Sequence, residues 1–188
     1  MKDLYYCILI IFQVITLVCG NSLFHNITIL DMNAEQMTCI DFDTLNQLKN
    51  LTEIKFENGK MPYFPDKDCN NPEHEEDPRP LDLPNLQYLT LKGIRLLKVP
   101  NTSLIPKLET IFVLGNPIRE LEESQFINNG KLKLIGLAFN DFTSAPVITS
   151  GCNDLDRLNL NDNLLTKIPE NYFSGCSIRQ AEVMNNLS

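Results

Sequence analysis

The sequence predicts an α/β-type repeat solenoid, a horseshoe with one short parallel strand per repeat on its concave face and mostly irregular returns on its convex face. Three observations predict it. A pattern of apolar residues recurs at a nearly constant interval, an asparagine recurs at one place in the pattern, and further apolar residues recur later in each interval. The clearest copy is Leu155, Leu158, Leu160, Asn163 and Leu165, which reads L-x-x-L-x-L-x-x-N-x-L. With the first leucine as position 1, the preceding unit holds Leu132, Ile135, Leu137, Asn140 and Phe142 in the same positions. Earlier units hold Leu108, Ile111, Val113, Asn116 and Ile118, then Leu86, Leu89, Leu91, Ile94 and Leu96, then Leu51, Ile54, Phe56, Gly59 and Met61. Successive units start 22 to 24 residues apart, except for 35 between Leu51 and Leu86.

Two weaker copies flank these five. One is Ile27, Leu30, Met32, Glu35 and Met37, and the other is Ile178, Ala181, Val183 and Asn186. Degenerate end units are expected, because a terminal repeat faces solvent on one side. Alternation at positions 4 and 6 predicts a short strand with those side chains inward. The position-9 asparagine can bond backbone groups that the turning chain would otherwise leave unpaired. On the return, Val99-Pro100 with Leu104, Leu121 with Phe126, and Ile168-Pro169 with Phe173 repeat a five-residue step. A buried apolar residue is therefore expected on the convex side as well. No unit can bury its apolar edges alone, so neighbours must stack.

These residues resemble the extracellular "typical" leucine-rich-repeat family. Asn163-Leu164-Leu165-Thr166-Lys167-Ile168-Pro169, ending in Phe173, is similar to repeats of insect Toll-like receptor ectodomains and of secreted immune or adhesion proteins. The resemblance runs from about Ile27 to the end. Gly59 and Ile94 depart from it by replacing the asparagine, and no cysteine-rich C-terminal cap or intracellular signalling domain is evident. The resemblance implies extracellular recognition of a protein ligand through the concave face, as in innate immunity or Toll-like signalling. The alternative is an adhesion or receptor ectodomain whose membrane anchor is missing from the chain.

Residues 1–20 read as a secretory signal peptide. Lys2 precedes a nearly continuous apolar run from Leu4 to Val18, and Val18-Cys19-Gly20 suits cleavage before Asn21. Residues 21–50 then form an N-terminal cap with the degenerate first repeat, and 51–188 the repeats, with the last one incomplete. An insertion at 66–84 carries Pro72, Pro78, Pro80 and Pro84 among acidic residues and reads as a solvated loop. Secretion leaves Cys39, Cys69, Cys152 and Cys176, an even set in an oxidising compartment. A Cys39–Cys69 bridge would tie the insertion to the cap. Cys152 and Cys176 lie one repeat apart, within reach of a bridge between stacked turns at about 4.7–4.9 Å. Cys176 equally suits a small buried apolar position. Sequons at Asn26, Asn50 and Asn101 are expected glycosylation sites.

A net charge of −8 argues against nucleic acid and against adsorption to an anionic membrane. No second apolar run is long enough to insert once the signal is removed. No catalytic constellation, phosphate loop or cofactor motif appears. The two histidines, His25 and His74, lie far from any candidate nucleophile, and His74 in its acidic loop has no partners at metal-ligand spacing. The expected activity is therefore binding. Positions 3, 5 and 7 should face outward on the concave side. There Phe112, Leu114 and Leu134, with Phe139 at position 8, are apolar where solvent is expected, with Tyr88 to one side and Arg157 to the other. An apolar cluster rimmed by polar residues marks an interaction surface. The last unit stops at Ser188, where its return should begin. This implies either a longer protein or a C-terminal end covered by a partner or a second copy.

Overall fold

The computed structural model describes residues 26–65, 69, 79–148 and 154–186. The expected signal peptide, most of the 66–84 insertion, His25, His74 and Cys152 lie outside them. Seven strands form one sheet: β1 (Ile29–Asn33), β2 (Glu53–Glu57), β3 (Tyr88–Lys92), β4 (Thr110–Leu114), β5 (Leu134–Gly136), β6 (Arg157–Asn159) and β7 (Gln180–Glu182). They pair in parallel and in sequence order, β1 to β7. Each unit supplies one strand, so the chain is a parallel-strand solenoid. Among the described residues the one helix is short, α1 (Phe42–Asn46). The convex returns are otherwise turns and irregular backbone.

The register follows the repeat. Leu30, Ile54, Leu89, Ile111, Ile135, Leu158 and Ala181, all at position 4, stand side by side across the sheet. Their neighbours at position 6 do the same at Met32, Phe56, Leu91 and Val113. From the second to the sixth unit, positions 1, 4, 6 and 11 are buried in one continuous core. Registration is strong because a slip by one residue would turn that apolar set to solvent.

The asparagine ladder works as expected where it exists. The Asn116 amide donates to the Leu91 carbonyl (3.0 Å) and its own Leu114 carbonyl (2.9 Å), and its oxygen accepts from the Ile94 and Leu96 N–H groups (3.1 and 3.0 Å). Asn140, Asn163 and Asn186 repeat the donation to position 6 of the preceding turn, at Val113, Leu137 and Leu160. Asn140 differs in that its side-chain oxygen has no hydrogen-bond partner. Toward the N-terminus the ladder becomes apolar. A Cβ on Gly59 would lie 3.1 Å from Ala34 Cβ and 3.2 Å from Ile94 Cγ2. Ala34 and Ile94 thus close on Gly59, filling with methyl groups the space an amide would take. The ladder position of the first unit is accordingly held by buried Ala34, while Glu35 is exposed.

Past the strands, the backbone ladder extends one residue further. The position-8 N–H groups of Asn58, Gly93, Gly115, Phe139 and Asp162 donate to the position-7 carbonyls of the next turn: Lys92, Leu114, Ala138, Asn161 and Met184. The chain then turns into the core, which requires a left-handed backbone at position 8. Asn58, Gly93, Gly115, Phe139, Asp162 and Asn185 have φ of 61°, 60°, 64°, 58°, 53° and 57°.

The returns carry two departures from expectation. Phe126 is buried as expected, but Leu104 is 48% exposed and Phe173 37% exposed. At Leu104 the chain makes a tight turn, Ile105 N–H to Thr102 carbonyl (2.9 Å), that carries Ile105 inward instead. Beneath that turn lies a buried polar cluster. The Thr102 hydroxyl donates to Asn129 Oδ1 (2.7 Å), and the Asn129 amide donates to the Thr102 and Ile105 carbonyls (3.0 and 2.9 Å). Phe173 lies on the return of the sixth unit and stacks edge-on to Tyr172 at 4.9 Å. Tyr172 donates its hydroxyl to the Pro146 carbonyl, and burial pushes that hydroxyl well above its ordinary range.

The expected tie between cap and insertion is present. Cys39 and Cys69 are bridged, with Cα atoms 5.6 Å apart. The far end of the insertion docks on α1. Arg79 lies 3.9 Å over the Phe42 ring and 3.2 Å from Asp43, and Lys49 pairs with Asp82 at 2.6 Å. Cys176 is also disulfide-bonded.

Candidate protein-binding face

The outward face of the sheet changes character along the solenoid. Its N-terminal part is charged and internally paired. Lys55 lies 3.5 Å from Asp31 and 3.6 Å from Glu57, and Lys92 lies 3.8 Å from Glu57. Asp31, then Glu57, raises the Lys55 ammonium above its ordinary range. Such exposed pairs add little stability. They do leave this end of the face electrically satisfied.

The middle is apolar, and its geometry sharpens the expectation from sequence. Phe112, Leu114 and Leu134 are half-buried. A Cβ on Gly136 would sit 2.4 Å from Phe112 Cδ1 and 3.5 Å from Leu114 Cδ2. The Phe112 ring therefore lies across Gly136, with Leu114 beside it. Gly136 and Ala138 were expected to face outward, yet both are buried, Gly136 because these side chains cover it. The result is a low apolar pavement. Leu134 stands directly beside Arg157 in the register, and Tyr88 stands beside Thr110, one strand further away from Leu134. Arg157 and Tyr88 are exposed, Tyr88 by 43%. The structure thus groups Phe112, Leu114 and Leu134 with Arg157 at their edge, and sets Tyr88 apart as a flank.

Phe139 is different. It sits at position 8, on the lip where the strands end, and is 62% exposed. Its φ of 58° is the left-handed conformation that glycine, asparagine and aspartate occupy in the other units from the second to the seventh. A bulky side chain is an outlier there. The conformation is imposed by its neighbours: the Phe139 N–H is held by the Asn161 carbonyl at 3.0 Å, in line with the other units.

Sequence reading missed a row on the opposite lip, at position 2. Glu109, Lys133, Asp156 and Arg179 alternate in sign on successive turns, and form pairs of 2.7 Å (Lys133–Glu109) and 3.2 Å (Arg179–Asp156). Glu109 raises the Lys133 ammonium above its ordinary range. The signal was legible as alternating charge at one repeat position.

The three sequon asparagines, Asn26, Asn50 and Asn101, are exposed and lie off the apolar pavement. Asn101 Oδ1 accepts from the Ser103 N–H at 3.1 Å. A fourth sequon, Asn186-Leu187-Ser188, was not singled out from sequence. Its amide is engaged by the Leu160, Val183 and Met184 carbonyls. Among the described residues no group of three or more His, Cys, Asp or Glu is arranged to hold a metal ion. No described helix is long and apolar enough to cross a membrane.

In-order parallel strands, an apolar core repeating every 22 to 24 residues and an inward asparagine ladder define a leucine-rich-repeat-like fold. Comparison with solved structures agrees: the chain superposes on the LRR protein LIC12759 of Leptospira interrogans with a TM-score of 0.59 and 18% sequence identity. The match covers 88% of this chain and 45% of that one, so the chain spans less than half the length of its structural neighbour. In all, 41 chains of solved structures match. No protein-family model and no curated protein matches the sequence.

Proposed function

We propose that the chain is an extracellular protein-recognition module that binds a protein ligand across the apolar middle of its strand face, without catalysis. Folds of this type commonly serve as protein-interaction scaffolds. The resemblance to Toll-like receptor repeats makes innate immune recognition the favoured setting. The observation that carries the binding reading is Phe139. Forcing a non-glycine residue into the left-handed region costs roughly 1–2 kcal/mol. An aromatic ring that is 62% exposed recovers little of that from the fold. Strain of this kind, held by an over-determined backbone, concentrates at ligand-contact sites. Aromatic residues and arginine are also the usual interface anchors, and Phe139 stands beside a pavement of Phe112, Leu114 and Leu134 edged by Arg157.

The test is to capture extracellular partners with the secreted wild-type chain and challenge each with Phe139→Asn and Leu134→Glu. A partner that engages this face is lost by both variants while secretion is unchanged. Partners retained by both would refute the assignment of the face.

A further inference from the structure

The convex returns of the third and fourth units are laced together by side chains. Asn128 Nδ2 donates to the Ser103 carbonyl (3.3 Å), Asn129 Nδ2 to the Ile105 carbonyl (2.9 Å) and Gln125 Nε2 to the Pro100 carbonyl (2.7 Å). This lacing sets Leu104 beside Ile127. Their neighbours Thr102, Ile105, Phe126 and Asn129 are buried, so these two side chains stand outward, Leu104 48% and Ile127 60% exposed. A single exposed apolar residue is ordinary, but two large aliphatic side chains on adjacent returns form a patch. Asn101 stands on the same outward side of the Leu104 turn and opens the sequon Asn101-Thr102-Ser103. Its backbone is anchored, since its carbonyl accepts from the Leu81 N–H at 3.0 Å. Its Oδ1 accepts from the Ser103 N–H at 3.1 Å, and no described group accepts from its Nδ2. The Asn186 sequon differs, because there Nδ2 is held by three carbonyls. The Asn101 amide nitrogen can therefore carry a substituent without breaking a bond of the fold.

We infer that Asn101 carries an N-linked glycan whose first sugars lie over Leu104 and Ile127, so that carbohydrate and not a protein partner covers this part of the convex side. The inference rests on the extracellular reading proposed above, because the modification is made in the secretory compartment. The donor is an oligosaccharide linked to a lipid pyrophosphate. The bond from its anomeric carbon to the phosphate oxygen breaks, and the lipid pyrophosphate leaves with the electron pair. The anomeric carbon bonds to Asn101 Nδ2, which loses one proton. The product is a secondary amide whose Oδ1 still accepts from the Ser103 N–H. An N-acetylhexosamine suits the patch: its ring presents a face of C–H groups and its acetyl group a methyl, while its hydroxyls face water. Such a glycan is bulky and solubilising. With the convex patch covered, the apolar middle of the strand face on the opposite side stays open to a protein ligand.

The full chain secreted from a eukaryotic cell line tests this. Glycopeptide mass spectrometry should find Asn101 occupied. Ser103→Ala removes the sequon hydroxyl and keeps the Ser103 backbone groups that bond Asn101 and Asn128. This variant should lose the Asn101 glycan, gain binding of an apolar fluorescent dye and shift toward larger species in light scattering. Ser103→Thr keeps the sequon and should behave as the wild type. Adding Leu104→Gln and Ile127→Gln to Ser103→Ala should return dye binding to the wild-type level, which separates lost cover from lost folding. A bare Asn101 on the secreted chain overturns the inference, as does a Ser103→Ala chain that loses the glycan with no gain in dye binding or size. Should Ser103→Ala fail to be secreted, enzymatic removal of the glycans from the folded wild type gives the same readout. A chain that is not exported overturns the extracellular reading and this inference with it. None of these residues belongs to the apolar pavement, so the outcome is independent of the binding-face tests.

Discussion

Phe112 lies across Gly136, with its Cδ1 only 2.4 Å from where a Cβ on that glycine would be. The two residues are direct neighbours in the register between β4 and β5. The missing side chain of one repeat is thus the seat for the ring of the preceding one. Gly136→Ala should lift the Phe112 ring off the sheet. The expected cost is about 1–3 kcal/mol, the range for overpacking a well-filled site. Urea denaturation measures that loss, and the Phe112 ring resonances should shift toward solvent-exposed values. An unchanged stability with unchanged ring shifts would show that the seat is not tight.

Phe139→Asn should act in the opposite direction on stability. Asn58 and Asn185 hold the same position with φ of 61° and 57°, so asparagine fits there without rearrangement. Relief of left-handed strain should raise stability by about 1 kcal/mol. A gain in the urea midpoint combined with loss of partner binding identifies a residue kept for recognition. A loss of stability would mean that the ring supports the fold.

The asparagine ladder predicts unequal costs along its length. Asn116→Ala strands the Ile94 and Leu96 N–H groups and the Leu91 carbonyl, all bonded to the wild-type side chain. Each buried group left unsatisfied costs about 1–3 kcal/mol. Asn140→Ala removes a side chain whose amide bonds three carbonyls but whose oxygen bonds nothing. Its cost should be smaller by about 1 kcal/mol or more. Equal losses in parallel denaturation curves would contradict this ordering.

Reduction of the Cys39–Cys69 bridge should loosen the N-terminal end first. The bridge closes a loop with a sequence separation of 30, worth about 3.6 kcal/mol in the chain-entropy view. Under mild reduction, limited proteolysis should cut within the insertion before it cuts the repeats. Hydrogen exchange should accelerate in β1 and α1 while β4 and β5 stay protected, because stacked repeats depend chiefly on their neighbours. Uniform loss of protection would indicate that the bridge supports the whole solenoid.

Much of this architecture was legible without coordinates. Leucines and isoleucines spaced at positions 1, 4, 6 and 11 determine which side chains must go inward, since only stacking in register buries them all. That alone sets seven units, seven in-order strands and the inward turn at Asn116, Asn140 and Asn163. A bridge at Cys39–Cys69 was legible from the expectation of an oxidising compartment and the placement of the insertion. The alternating charges from Glu109 to Arg179 were present in the sequence as well, and needed only the register to be read.

What only the tertiary structure decided were relationships between adjacent turns. Gly136 reads as an outward position, but it is buried because the side chain of the preceding unit fills the space it leaves. Glu35 gives way to Ala34, because Gly59 and Ile94 close together in the absence of an amide. Leu104 yields to Ile105 through one hydrogen bond in a turn, and Asn129 is buried because Thr102 lies beneath it one turn earlier. The cost carried by Phe139 was invisible until its backbone was placed, because left-handed φ belongs to the position and not to the residue. Periodicity determines which residues face inward along one turn. Who covers whom is decided between turns, where side-chain volume and backbone geometry compete for the same few ångströms.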